Sequence, residues 1–350
     1  MRGASSSSLM KIKTVGIAKK TYPTGDPSFS VQQAFPAGIE AEDCDPFLMC
    51  DYFAAPSRGV ALHPDQFDVP WHPHRGFDLA TFMKVRSLCF SFKTESFQSL
   101  VLFDTATAWA IENRFLLLPC SGLVQVVESS TRKVLERKKV GFCFSFFIFA
   151  LNQIIFFFST GKLVEGFQLW INVPSSRKME DPRYGTVPSD QLPPISGDGI
   201  RGHVLAGNFN NLKGPFETVQ PVQMLDIEVD AGKSFDFVAD SVMDNCIVFI
   251  YFGDGKLNGE NVKQFQVLRL DATSAEARIV HISADKGTVV KAMIFAGKRL
   301  NQPIAWHGPF VMTTGDEIRK TLKEYSNGQF PPKRVSWDYK NFADFPAPKE

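Results

Sequence analysis

The sequence predicts a mostly-β chain of short antiparallel strands, and three observations predict it. From residue 222 onward, apolar runs of strand length follow one another with turns between them: VQMLDIEV, SFDFVA, CIVFIYF, KQFQVLRLD, ARIVHISA and VVKAMIFAG. The stretch GDGKLNG after CIVFIYF has hairpin composition. Upstream, residues 22–83 carry turn residues in YPTGDPSF, FPAG and APSRG, with short apolar runs between them. Close, regular spacing of this kind belongs to an antiparallel β-barrel or sandwich.

Taken in order, the chain opens with MRGASSSSLMKIKTVGIAKK, which is basic, rich in serine and free of acids up to Asp26. Residues 1–21 are therefore expected to be a disordered tail, with weak organelle targeting as the alternative. DPFLMCDYF (45–53) reads as a buried strand leading into a loop, and EGFQLWINVP from 165 as another strand. DPRYGTVPSDQLPPISGDGIRG is rich in Pro and Gly and is read as a linker over 181–204. It separates a domain over 22–180 from a second over 205–328, which is expected to be the more self-sufficient part, and 329–350 closes the chain as a tail. One helix is expected near 315–327. Thr314 and Glu317 form a capping box, Ile318, Leu322 and Tyr325 repeat at helical spacing, and Asn327-Gly328 stops it.

Composition narrows the functional classes. Of 350 residues, 44% are hydrophobic and 21% charged, enough to bury a core. The net charge of +1 gives no direct nucleic-acid footprint. The cysteines, at 44, 50, 89, 120, 143 and 246, form no C-x-x-C pair and are expected as reduced intracellular thiols. No G-x-G-x-x-G, Walker A, G-x-S-x-G or H-E-x-x-H motif occurs.

The chemistry that stands out lies in VPWHPHRGFD (69–78). On a strand, His72 and His74 point to one face, about 6.5–7 Å apart, a spacing that suits two cis positions on one metal. Asp78 shares their parity, so a straight strand puts it on the same face. Pro73 between them lacks an N–H and places this strand end at a rim. An isolated H-x-H also occurs as surface or core hydrogen bonding, and that reading stays open. His63, His203, His281 and His307 are read as structural.

Five segments together carry a resemblance: DPFLMCDYF, FDVPWHPHRGFDLATFM, EGFQLWINVPSSRKMEDPRY, LKGPFET and GKRLNQPIAWHGPFVMTTGDEI. In this order they resemble the pirin family over about 30–83 and 164–328. The resemblance implies a bicupin, with two tandem jelly-roll-like antiparallel barrels. It implies a non-haem Fe(II) site in the first barrel, with His72 and His74 as its first two ligands. The family's remaining histidine and glutamate ligands have no counterpart in this sequence. The iron site is therefore expected to be incomplete and weakly binding, with Asp78 as a possible weak substitute. The second barrel is expected to hold no metal.

The missing ligands fall in 84–163, which interrupts the first barrel. GFCFSFFIFALNQIIFFFS (141–159) lies in an uncharged run, 140–161, long enough to span a bilayer. A strand-bearing barrel on either side argues against a span, since a barrel opened there would expose unpaired edges. Three glycines and one proline across the segment are poor turn chemistry for a set of hairpins. The segment is read as an atypical insertion or as translated non-coding sequence, because its late part is dominated by residues with thymine-rich codons.

Three functions follow from the resemblance. The first is a nuclear regulatory module that binds transcription regulators or signalling proteins, in the nucleus and also the cytoplasm, as a monomer without turnover. The second is a quercetin 2,3-dioxygenase-like oxygenase. The third is a non-functional product of a pirin gene.

Overall fold

Why each strand forms is clearest in the second half of the chain. SFDFV alternates exposed and buried residues, as a strand with one solvated face must. NCIVFIYF and VKAMIFAG are buried along nearly their whole length, because both of their faces are covered.

The computed structural model describes residues 8–23, 30–54, 73–87, 97–103 and 162–330. In chain order its strands are β1 (Lys11–Ile17), β2 (Lys19–Thr21), β3 (Val31–Phe35), β4 (Phe47–Ala54), β5 (Phe77–Ser87), β6 (Phe97–Phe103), β7 (Lys162–Asn172) and β8 (Tyr184–Val187). There follow β9 (Pro194–Gly197), β10 (Ile200–Ala206), β11 (Asn208–Phe209), β12 (Leu212–Lys213), β13 (Val222–Val229), β14 (Ser234–Val238) and β15 (Asn245–Phe252). The last are β16 (Gly255–Leu257), β17 (Glu260–Val262), β18 (Gln266–Asp271), β19 (Ile279–Ala284), β20 (Val290–Gly297), β21 (Ala305–His307) and β22 (Phe310–Met312).

Two large antiparallel sheets organise these strands. The N-terminal sheet has the order β2-β3-β4-β7-β5-β6-β8, and the C-terminal sheet β1-β18-β15-β20-β13-β10-β9. A smaller sheet, β14-β19-β16-β17, closes the C-terminal barrel over a core that includes Phe237, Val248, Ile250 and Ile294. The two large sheets pack face to face. Phe82, Phe167 and Ile171 from the first meet Phe249, Tyr251 and Phe295 from the second. Fully burying one such ring contributes about 1.5–3 kcal/mol.

The helix spans Gly315–Ser326, with the capping box at Thr314 and Glu317 as expected. Three expectations need correction. Residues 11–21 are not a disordered tail. β1 is an edge strand of the C-terminal sheet, with Lys11 opposite Asp271, and Met10 lies in that barrel's core. Residues 181–204 are not a free linker. β8 pairs with β6 in the first sheet, while β9 pairs with β10 in the second, so the crossing falls between Val187 and Pro194. The second domain accordingly does not begin at 205, because its large sheet takes in β9, β10 and β1.

The interruption at 84–163 begins with ordinary sheet. β5 runs to Ser87, and β6 pairs along it. The apolar run 140–161 lies outside the described residues. Among the described residues, no helix is long and apolar enough to cross a membrane.

Candidate functional site

The motif that carries the histidines leads into β5. Gly76 sits there at φ +94°, and an added Cβ would lie 1.7 Å from the Val311 carbonyl oxygen. A side chain is excluded on both counts. The consequence reaches the functional residues, because a positive-φ residue interrupts the pleat between His74 and Asp78.

His74 is half-buried, its ring 5.3 Å from Trp170 and 5.4 Å from Phe77, which are themselves stacked at 4.1 Å. Phe77, Leu79, Met49 and Trp170 form one cluster, on the face of the N-terminal sheet turned away from the second barrel. Asp78 faces the other way. It is buried between the domains, and its Oδ2 accepts the Val219 N–H at 2.8 Å. The expectation that Asp78 shares a face with His74 is thus overturned by the break at Gly76. Asp78 therefore does not point toward the His74 ring. His72 and His63 lie outside the described residues. Of the others, His203 is half-buried on β10, and burial lowers its pKa. The ring of His281 hydrogen-bonds Asp236 at 2.6 Å, and His307 is exposed on β21.

Further along the same inner face runs a polar row, Gln33–Asp51–Gln168–Thr81, set by the pairing of β3, β4, β7 and β5. Gln33 Nε2 donates to Asp51 Oδ1 at 2.8 Å. Burial raises the Asp51 pKa to about 6, against the lowering effect of that bond. The Thr81 hydroxyl and the Trp170 indole N–H are buried here without a hydrogen-bond partner among the described residues. This face offers polar contacts but few metal donors. Among the described residues, no group of three or more His, Cys, Asp or Glu could hold a metal ion. His74, backed by the rings of Phe77 and Trp170, is the imidazole that the described residues bring to this face. Cys44, Cys50 and Cys246 are free and buried, and burial pushes their thiols up, that of Cys246 to about 12.

Two buried lysines went unread in the sequence. Lys178 Nζ donates to the carbonyls of Gly76 (2.7 Å) and Val311 (3.1 Å) and to Asn172 Oδ1 (2.5 Å). Lys84, on the same face of β5 as Asp78, reaches into the second barrel. Its Nζ donates to Asp226 Oδ2 at 2.8 Å and to the Tyr251 hydroxyl at 2.7 Å, and that hydroxyl donates to Asp226 Oδ1 at 2.6 Å. The signal for Lys178 was its place in the WINVPSSRKME segment. No local pattern marks Lys84.

Comparison with known proteins agrees with this architecture. Residues 224–331 match the family described as the pirin C-terminal cupin domain. Human pirin is 24% identical over 297 residues, covering 83% of this chain and 84% of the human one. A protein of Pseudomonas aeruginosa, named only provisionally as a quercetin 2,3-dioxygenase, is 26% identical over 309 residues, covering 86% and 92%. Among solved structures, a quercetin 2,3-dioxygenase from Acinetobacter baumannii superposes with a TM-score of 0.65 at 22% identity, over 92% of this chain and 99% of that one.

Proposed function

The chain belongs to the pirin family, and from that premise we propose that it is a regulatory binding protein whose N-terminal iron site is degraded. The observation that carries this reading is that the His74 ring packs on Phe77 and Trp170 at one face of the N-terminal sheet while Asp78 is turned to the other. His72 and His74 would be the first two donors for Fe(II). Two histidines leave most of the coordination sphere to water, so binding is loose. The binding role is assigned to the nucleus and cytoplasm, with transcription regulators or signalling proteins as partners and no turnover.

A second reading, a metal-dependent dioxygenase, is favoured by the names of the relatives and by the Thr81 hydroxyl and Trp170 N–H on the His74 face. A non-functional product of a pirin gene is the third. Metal analysis of the purified full chain separates them. The proposal expects well under one iron per chain after loading, little changed by His72→Ala. It also expects no flavonol oxidation above that of free metal. One iron per chain, lost in His72→Ala and accompanied by turnover, overturns it in favour of the oxygenase. A folded chain that captures no partner from nuclear extract, where a pirin control does, favours the third reading.

A further inference from the structure

We propose that the C-terminal segment Ala305–Phe330 is a strut that holds the His74 end of β5 in place, with Lys178 and Arg75 as its positioning residues. The strut fixes the geometry of that strand end whether or not a metal binds there.

The first observation is where the backbone of this strand end finds its partners. Arg75 forms a parallel bridge with Phe310. The Arg75 N–H donates to the Pro309 carbonyl at 3.2 Å, and the Val311 N–H donates to the Arg75 carbonyl at 2.9 Å. Ladder pairing to β7 starts only at Phe77, opposite Asn172. The residue next to His74 is therefore held by the far end of the chain before its own sheet takes over.

The side chain of Arg75 extends the contact into the helix. It is buried, and its Nη1 donates to Thr321 Oγ1 at 2.9 Å and Glu324 Oε2 at 2.7 Å. Its guanidinium lies 3.8 Å from the Phe330 ring centroid. A buried guanidinium with a carboxylate, a hydroxyl and an aromatic face is committed to one orientation. Helix and hairpin are bound to each other by a small core of Phe310, Met312, Ile318 and Phe330.

Lys178 is the pin between this hairpin and the strand. It is 2% exposed, and its Nζ donates to acceptors from three places: the strand end (Gly76), the end of β7 (Asn172) and β22 (Val311). An ammonium has three protons to give, and burying one is costly unless its hydrogen bonds are made. Removing the amine leaves buried carbonyls without a donor and loosens the strand end from the hairpin. The same hairpin supplies Trp306, 5.6 Å from Trp170, whose ring faces His74. The orientation of His74 is in this way referred to a segment of the second domain.

Two readouts on the full chain test the strut. The first is amide hydrogen exchange in Lys178→Met and Arg75→Gln, with Lys84→Met as a control at the other end of β5. Tenfold or faster exchange is expected at Arg75–Phe77 and Phe310–Met312 in the first two variants. Protection in β15 and β20 should be retained, and the control should leave Arg75–Phe77 unchanged. The second is the imidazole spectrum of the chain labelled on histidine nitrogen, with His74 assigned by its loss in His74→Gln. The His74 signal should shift in both strut variants while those of His203 and His281 stay. Should Lys178→Met fail to fold, Glu324→Gln with Thr321→Val removes the same tie from the helix side. The strut is overturned if folded variants leave exchange at Arg75–Phe77 and the His74 signal unmoved. It is equally overturned if protection falls to the same extent throughout the molecule.

Discussion

Asp51 shows how a single buried group sets a pH dependence. Its carboxyl has a pKa raised by burial to about 6, while Gln33 donates to one oxygen. In the unfolded chain it titrates near 3.8. Between these values the folded protein holds a proton that the unfolded chain has released. The contribution to stability is full below about pH 4 and is lost as pH rises through the folded pKa. The loss amounts to about 3 kcal/mol. Urea unfolding at pH 4, 5, 6 and 7 should show that decline in the wild type and a flatter profile in Asp51→Asn; parallel profiles would refute the assignment. Neither Asp51 nor Lys84 could be ranked from the sequence, because a charged residue reads as exposed until its neighbours are known. His74 was legible as a candidate from its motif. The face of Asp78 was not, since the parity rule assumes a straight strand and Gly76 breaks it.

At the scale of the element, β1 carries the clearest test. Met10, which leads into it, is 2% exposed in the second barrel's core, and the Asn258 side chain donates to its carbonyl at 2.7 Å. Met10→Ala should cost about 2–5 kcal/mol by chemical denaturation. Removing residues 1–17 should leave β18 as an unpaired edge and cause aggregation, measurable by light scattering. A cost below about 0.5 kcal/mol, the range of surface substitutions, would mean that the start of the chain is the tail its composition suggests. The helix and most of the strands from β13 to β20 were legible because their signals are local, namely a capping box, alternation and hairpin turns. β1 was not, because KIKTVGI is short, mixes lysines with apolar residues on its exposed side and is paired with a strand far away in the chain.

For the whole molecule, the question is what joins the two barrels beyond apolar contact. Lys84, Asp226 and Tyr251 form a closed set of hydrogen bonds across the interface, and burial pushes the Tyr251 hydroxyl pKa well up. Lys84→Met leaves a buried carboxylate without its cation and should cost about 3–5 kcal/mol, whereas Lys84→Met with Asp226→Leu should cost clearly less than the two single changes added together. Additive costs would show that the pair is not coupled. The bicupin plan itself was legible from ordered motifs, but its division at a linker was not, because the chain crosses between sheets within strand-forming sequence.

The pairing of β1 with β18 has a temporal consequence. Lys11 waits for Asp271, and at synthesis rates of about 5–20 residues per second the wait is on the order of ten to fifty seconds. During it the nascent strand, with Val15 and Ile17 outward-facing even when docked, has no partner to zip onto. Successful maturation of this polypeptide therefore depends on keeping β1 soluble until β18 has left the ribosome.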